Sequence, residues 1–529
     1  MKKFVRAAAL LLCLAMIGSL VACGSKTQTT TGTDAAAEAV QSADSFHFYS
    51  IATGIETAQY NAHPIAAMIE AHTGYHVIYD QAPANAEDAA KAITNIFMSR
   101  SEYDAIVVSK AQFYSLLAMD ALKDITPYVE KSTNLKNVIS EFGWSTATKD
   151  GSIYGIPQKD AKKCSNFGIA FRVDWLEEYN AANPDTQIPV PSEENAYTMS
   201  VSSFKTMLEF FKTKVPQGGS AFNVDMNGVM QECILPAFGV VQEWADVNGQ
   251  LEYYINQPGF QDYLSYMQGL YDEGLVSYQS TAEADGTVKL LQGKLLGAGK
   301  VFHWNAAAIE KTETQELDDS IGYISVLVAD EDFGDLSKVR QFANEGYSMY
   351  TVVPKYADDA KAAAVVDWAD KKLDKDFFLK MVMGTEGETY RVQDGAYYPI
   401  LPTFDEKQSI SDKFMTGTRE EDYAKYWLCR TRKTQAQDKM FSRTNLISEQ
   451  SGVKSPVTVM PPNETFDQYF SGASSEVTNA LITTMFSADR RSLEEIQTLF
   501  QTNSGDEITA AVNEWYTSWG GRDTFNPAP

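Results

Sequence analysis

YDAIVV, residues 103–108, is a short run that ends apolar and β-branched. Such a run reads as a strand buried on both faces, the kind found in parallel sheets. What precedes it fits that reading. Residues 87–98 carry a helical pattern, and YHVIY (75–79) is a second strand. Before that, Pro64 opens a helix through Ile65, Met68 and Ile69, which Gly74 ends. Phe46-His47-Phe48-Tyr49-Ser50-Ile51 alternates aromatic and polar residues, as a strand does. Strands alternating with helices imply an α/β sheet with a ligand crevice at the carboxyl ends of its strands.

A second α/β region follows. GIAFRVDWLEEY (168–179) is a strand running into a helix, and NGQLEYYI (248–255) is a turn and a strand. In residues 260–276, Phe260, Leu264, Met267 and Leu270 recur every three or four positions, so one helical face is buried and Gly274 caps it. From about residue 357 the chain is helix-rich, with Val365, Trp368, Leu373, Phe377 and Met381 as expected core.

The amino-terminal end is of another kind. Lys2, Lys3 and Arg6 precede an uncharged run from Ala7 to Leu20. That run is too short to span a bilayer core, which takes about 20 residues, and reads as a secretory signal. Leu20-Val21-Ala22-Cys23 resembles the lipobox of bacterial lipoproteins. The resemblance implies cleavage before Cys23, a lipid on its sulfur, and attachment to the outer face of the cell membrane. Residues 24–44, rich in Thr, Ala and Ser without an aromatic, read as a flexible tether.

A formal charge of −26 argues against nucleic acid, whose phosphates would be repelled. Hydrophobic content of 44% over 529 residues excludes a disordered chain and allows two or three domains. Cys13 leaves with the signal; Cys164, Cys233 and Cys429 remain, far apart, allowing at most one disulfide.

Catalytic signatures are mostly absent: the chain has no G-x-S-x-G, no H-E-x-x-H, no P-loop and no dinucleotide fingerprint. No enzyme activity and no cofactor are therefore expected. Ser202 and Lys205 form an S-x-x-K without its companion motifs, and His72 and His76 are separated by the helix-ending Gly74. Asn223, Asp225, Asn227, Gly228, Gln231 and Glu232 have the spacing of the start of a calcium loop. The loop's terminal bidentate Glu has no counterpart, so a plain turn is the expectation and no metal ligand is assigned.

EAHTGYHVIYD, IYGIP followed by FRVDWLEEY, LYDEGLV, LLQGKLLGAGKVFHWNAA, MGTEGETY and AVNEWYTSWGG occur in this order. Together they resemble the extracellular solute-binding lipoproteins of ABC importers, in the branch that takes up sugars in Gram-positive bacteria. The resemblance implies an α/β, periplasmic-binding-protein-like type II fold, with two lobes joined by a hinge around a ligand cleft. By that analogy residues 1–22 are the signal and 23–44 the lipidated tether. Lobe one is 45–163 plus 325–400, and lobe two is 164–324 plus 401–529. A monomer is expected, delivering an oligosaccharide to ABC permease subunits and held on the membrane by the lipid at Cys23. In relatives the calcium loop follows a Lys-rich helix; here Val215 stands where an acid would be expected.

A sugar offers apolar C–H faces and a rim of hydroxyls, so its site needs aromatic platforms and planar polar groups. Trp304 matches a cleft tryptophan of the maltose-binding protein and its relatives and is the leading candidate. Trp244, Tyr347, Tyr398 and Trp427 are further platforms, and Gln158, Asp160 and Asn305 are candidates for hydroxyls near the hinge. Two alternatives stay open: a peptide, phosphonate or metal binder on the same fold, and a lipid-anchored enzyme acting on polysaccharide.

Overall fold

Ser45–Ser50 forms the first strand (β1), and Pro64–Thr73 the helix (α1) that brings the chain back. The His63 side chain accepts the Ile65 N–H at the helix start, and Gly74, at φ 81°, ends it in a left-handed turn that costs glycine nothing. The computed structural model describes residues 45–50, 56–83, 86–160, 167–224, 233–278, 284–302, 318–343 and 346–526.

The strands that follow are β2 (His76–Gln81), β3 (Ala105–Ser109), β4 (Ile156–Lys159), β5 (Phe167–Arg172), β6 (Ser220–Val224), β7 (Val276–Tyr278), β8 (Leu296–Phe302), β9 (Ile321–Ile324) and β10 (Tyr347–Val352). They make two five-stranded sheets, in the orders β2-β1-β3-β10-β4 and β7-β6-β8-β5-β9. β1, β2 and β3 run parallel, as read from the sequence, and β3 is buried from Ala105 to Val108. The sheet is mixed because β10, arriving after the whole second sheet, inserts antiparallel between β3 and β4. In the second sheet β5 runs antiparallel to both β8 and β9.

Helices α2 (Ala86–Ser99) and α3 (Lys110–Ala118) cover one face of the first sheet, through Ile93, Ile96, Phe113 and Leu116 against Ile106 and Val108. The other face carries α1 with α4 (Asp359–Lys372) and α5 (Lys375–Met383). There Trp368 stands edge-on to Phe46 and Phe48, at 5.0 and 5.5 Å. Val365, Trp368, Leu373, Phe377 and Met381 are all buried, as are Phe260, Leu264, Met267 and Leu270. The second core gathers Ile169, Phe171 and Phe222 with Val477 and Leu481 from a long helix, Glu464–Phe486.

The chain passes from the first sheet to the second between β4 and β5, and returns between β9 and β10. It does not pass over again at residue 400. Phe404, Phe414, Met415, Tyr423, Tyr426 and Cys429 all pack in the first core. These residues cover apolar surface left by Phe377 and Phe378, which no boundary drawn by analogy could anticipate. The third passage lies between helices α6 (Glu420–Thr431) and α7 (Gln435–Ser451), since Ala436 and Met440 pack with Leu296 of the second sheet and Leu291 of the helix Ala284–Gln292 before it. Among the described residues no helix is long and apolar enough to cross a membrane.

Candidate functional site

The parallel strands of the first sheet end together at Ser50, Gln81, Ser109 and Lys159, and β10 starts beside them at Tyr347. The β4–β10 register sets Lys159 opposite Tyr347 and Gln158 opposite Met349. Three of the residues singled out in the sequence, Gln158, Asp160 and Tyr347, are thereby brought to one strand edge. This is also where the chain leaves for the second sheet.

Each is held by its neighbours. The Gln158 amide donates to the Met415 carbonyl at 3.3 Å and to Thr351 Oγ1 at 3.4 Å. The Asp160 N–H donates to the Gly346 carbonyl at 2.8 Å, and its carboxylate accepts from the Ser348 hydroxyl. Tyr347 is 4% exposed, packed in a core with Ile106 and Tyr350, and so is no platform for a ligand; its hydroxyl donates to Glu420 Oε1 at 2.7 Å and pairs with Ser140 Oγ at 2.9 Å. Lys159 Nζ is 3.8 Å from the other Glu420 oxygen, and the Glu420 side chain is only 9% exposed. A Cβ on Gly143 would fall 2.8 Å from Glu420 Oε1 and 2.9 Å from the Tyr347 ring, so the close approach requires glycine. Sequence reasoning misses Glu420. An acid in a helix's first turn is ordinary, since the dipole favours it, and gives no functional signal.

A second polar cluster lies one strand over. Lys110 follows Ser109, which caps α3 reciprocally with Gln112. Its ammonium donates to the carbonyls of Thr458 and Val457, at 3.0 and 3.4 Å, and burial lowers its pKa to about 8. Nearby, burial pushes the Asp467 carboxyl up to about 7, with the Asn463 N–H as donor at 2.9 Å. A cavity of about 650 Å³ opens beside them, lined by Tyr114, Thr148, Lys149, Pro461, Pro462 and Asp467 among others. None of the residues singled out in the sequence lines it.

The other candidates lie elsewhere. Trp304 and Asn305 follow the carboxyl end of β8 at Phe302 but fall outside the described residues, as does Cys23. Trp244 is 1% exposed, packed against Tyr253 and Phe470 at 5.3 and 5.9 Å, and so is core rather than a platform. The reason is local: its hairpin, Trp244–Val247 with Gln250–Tyr253, folds onto the helix that carries Phe470. Trp427 and Tyr398 are half-buried and sit near the far end of α6. Trp427 faces Phe441 at 6.2 Å, and Tyr398 lies between the guanidiniums of Arg391 and Arg432, at 5.2 and 5.4 Å. Trp427 lies seven positions beyond Glu420 along the helix, a rise of about 10 Å.

The lesser motifs find ordinary partners. Ser202 donates to Asp330 and Lys205 to Glu273. His72 stacks on Phe377 at 3.9 Å, and His76 pairs with Glu70. Asn223 is buried and bonded to Ser277, while residues 225–232 fall outside the described residues, as does Cys164. Cys233 and Cys429 are buried in separate cores. Among the described residues no group of three or more His, Cys, Asp or Glu is placed to hold a metal ion.

The family pattern described as bacterial extracellular solute-binding protein matches residues 64–416. Lipoprotein LipO of Bacillus subtilis (strain 168) is 22% identical over 457 residues, covering 80% of this chain and 83% of that one. An uncharacterized protein in the butB 5′ region of Niallia circulans is 26% identical over 258 residues, 48% of this chain and 98% of its own. Among solved structures, the S. pneumoniae ABC-transporter substrate-binding protein FusA in complex with kestose superposes with a TM-score of 0.64 at 13% identity. It covers 89% of this chain and 99% of its own. An HMO-binding, ABC-transporter-associated solute-binding protein from Bifidobacterium longum infantis gives 0.62 at 14% identity, covering 89% and 98%. At these identities the likeness is one of fold, an α/β fold of the periplasmic-binding-protein type.

Proposed function

Because this chain belongs to the bacterial extracellular solute-binding proteins, a family of binders rather than enzymes, we propose that it captures an oligosaccharide for an ABC importer. The observation that carries this reading is the joining of Gln158, Asp160 and Tyr347 at one strand edge. The Gln158 amide and the Asp160 carboxylate, both half-buried there, suit a ligand rimmed with hydroxyls, while Tyr347, buried beneath them, holds the edge in place. Structural relatives described as bound to kestose or as HMO-binding favour a carbohydrate over a peptide or a metal.

In this reading Trp304 supplies the stacking platform and Asn305 a further polar contact. Tyr398 and Trp427, beside the third passage between the sheets, extend the site to a longer chain of sugars. Two lobes, one on each sheet, close on the ligand, and the closed form engages the permease. The lipid on Cys23 keeps the protein at the outer face of the membrane.

The test is a thermal-shift screen with neutral and acidic oligosaccharides, peptides and divalent metals. Stabilisation by an oligosaccharide that Gln158→Ala removes is the expected result. Stabilisation by peptides or metals alone would overturn the carbohydrate assignment.

A further inference from the structure

Met98 and Met119 are the two most exposed large apolar side chains among the described residues, at 79% and 56%. They belong to different elements, the last turn of α2 and the residue after α3. The two helix ends meet at a cavity of about 400 Å³, lined by Phe97, Arg100, Asp120, Ala121, Lys355 and Tyr356. Its frame is fixed: the Lys355 N–H donates to the Ala121 carbonyl at 2.8 Å, and the Tyr356 hydroxyl to the Ser101 carbonyl at 2.9 Å.

This is the end of the first sheet opposite the strand edge that carries Gln158 and Tyr347. β3 begins here and β10 finishes here. β1 begins here too, at Ser45, whose carbonyl accepts from Lys361. The chain from Cys23 therefore joins the folded body at the same end as the two methionines. The charges at this end are of both signs, in a chain of −26. Arg100, Lys123, Lys355 and Lys361 stand against Asp120 and Asp359, both in ion pairs, with Glu102, Asp104, Asp124 and Asp358 nearby.

We propose that this end of the first sheet rests on the bilayer that holds the Cys23 lipid, with Met98 and Met119 entering the boundary between headgroups and acyl chains. The proposal rests on the lipid reading of Cys23. Residues 24–44 set the reach: fully extended they span about 70 Å, and as a flexible coil about 25 Å. A tether of that length keeps the face at high local concentration beside the membrane, so a contact too weak to act alone becomes populated. Flexible, polarizable methionines suit a fluid, irregular surface, and Arg100, Lys123, Lys355 and Lys361 offset part of the repulsion that a purely acidic surface meets at anionic lipid.

The experiment is hydroxyl-radical footprinting of the full lipidated chain on vesicles of phosphatidylglycerol and phosphatidylcholine in equal parts, after flotation confirms attachment. The Cys23→Ala chain in solution is the reference. Oxidation of Met98 and Met119 should fall at least about threefold on vesicles, while exposed Tyr469 stays unchanged. Equal oxidation of both methionines in a chain that floats would overturn the proposal and leave the lipid reading intact. Failure to float would overturn the lipid reading and the proposal with it. Protection in the Cys23→Ala chain that rises with protein concentration would assign the face to a second copy and also overturn it.

Discussion

Tyr347 and Glu420, 73 residues apart in sequence, meet through a 2.7 Å hydrogen bond at the edge where the chain leaves the first sheet. The bond ties the start of β10, which returns from the second sheet, to the start of α6, which leads back toward it. Both passages are thus anchored at one point, next to Asp160 on the remaining passage.

Tyr347→Phe removes the donor and leaves a carboxylate oxygen short of a partner in a nearly enclosed position. A hydrogen bond to a charged group is worth about 1.5–3 kcal/mol, and urea unfolding should register a loss of that order. Adding Glu420→Gln to Tyr347→Phe should recover part of it, because the amide carries no charge to strand. An unchanged unfolding midpoint in Tyr347→Phe would mean that water replaces the hydroxyl.

Two tryptophans should separate core from site. Trp244→Ala opens a cavity among Tyr253, Phe466 and Phe470 and should cost about 3–5 kcal/mol. Trp304→Ala should abolish ligand binding and leave the melting temperature nearly unchanged. A large stability loss in Trp304→Ala would make that residue core.

The contrast between these two residues also marks how far the sequence could be read. The parallel strands around YDAIVV were legible because apolar runs and helix ends are local signals, as at Gly74. The insertion of β10 and the packing of residues 404–429 on the first core were not. Both depend on contacts between distant segments, and no local pattern encodes them. Gln158, Asp160 and Tyr347 converge because strand pairing puts them there. Trp244, chosen as an aromatic in a promising region, shows that residue type alone cannot separate a platform from a core side chain.

Stability should depend on pH through Asp467. Burial raises its folded pKa from 3.8 to about 7, with Lys110 offsetting part of the effect. Between those values the folded chain holds a proton that the unfolded chain has lost, so stability falls as pH rises through this window. Asp467→Asn should flatten that fall, matching the parent near pH 4 and exceeding it near pH 8 by about 2–4 kcal/mol. Lys110, lowered to about 8, acts above that range, where stability rises with pH up to its ordinary 10.5. Denaturant midpoints across pH check both signs. The same slope between about pH 4 and 7 in the parent and in Asp467→Asn would refute the assignment.

Cys23→Ala should leave ligand affinity unchanged and release the chain from the membrane fraction. Fractionation of cells expressing each form checks this directly. A variant that stayed with the membrane would mean that something other than the lipid holds it.

Capture of an oligosaccharide by closure of two lobes should be visible in small-angle scattering during titration with the oligosaccharide that gives the largest thermal shift. A saturable fall in radius of gyration, absent in Trp304→Ala, is the expected result. Binding with no change in radius, or a contraction produced only by peptides or metal ions, would refute capture by closure.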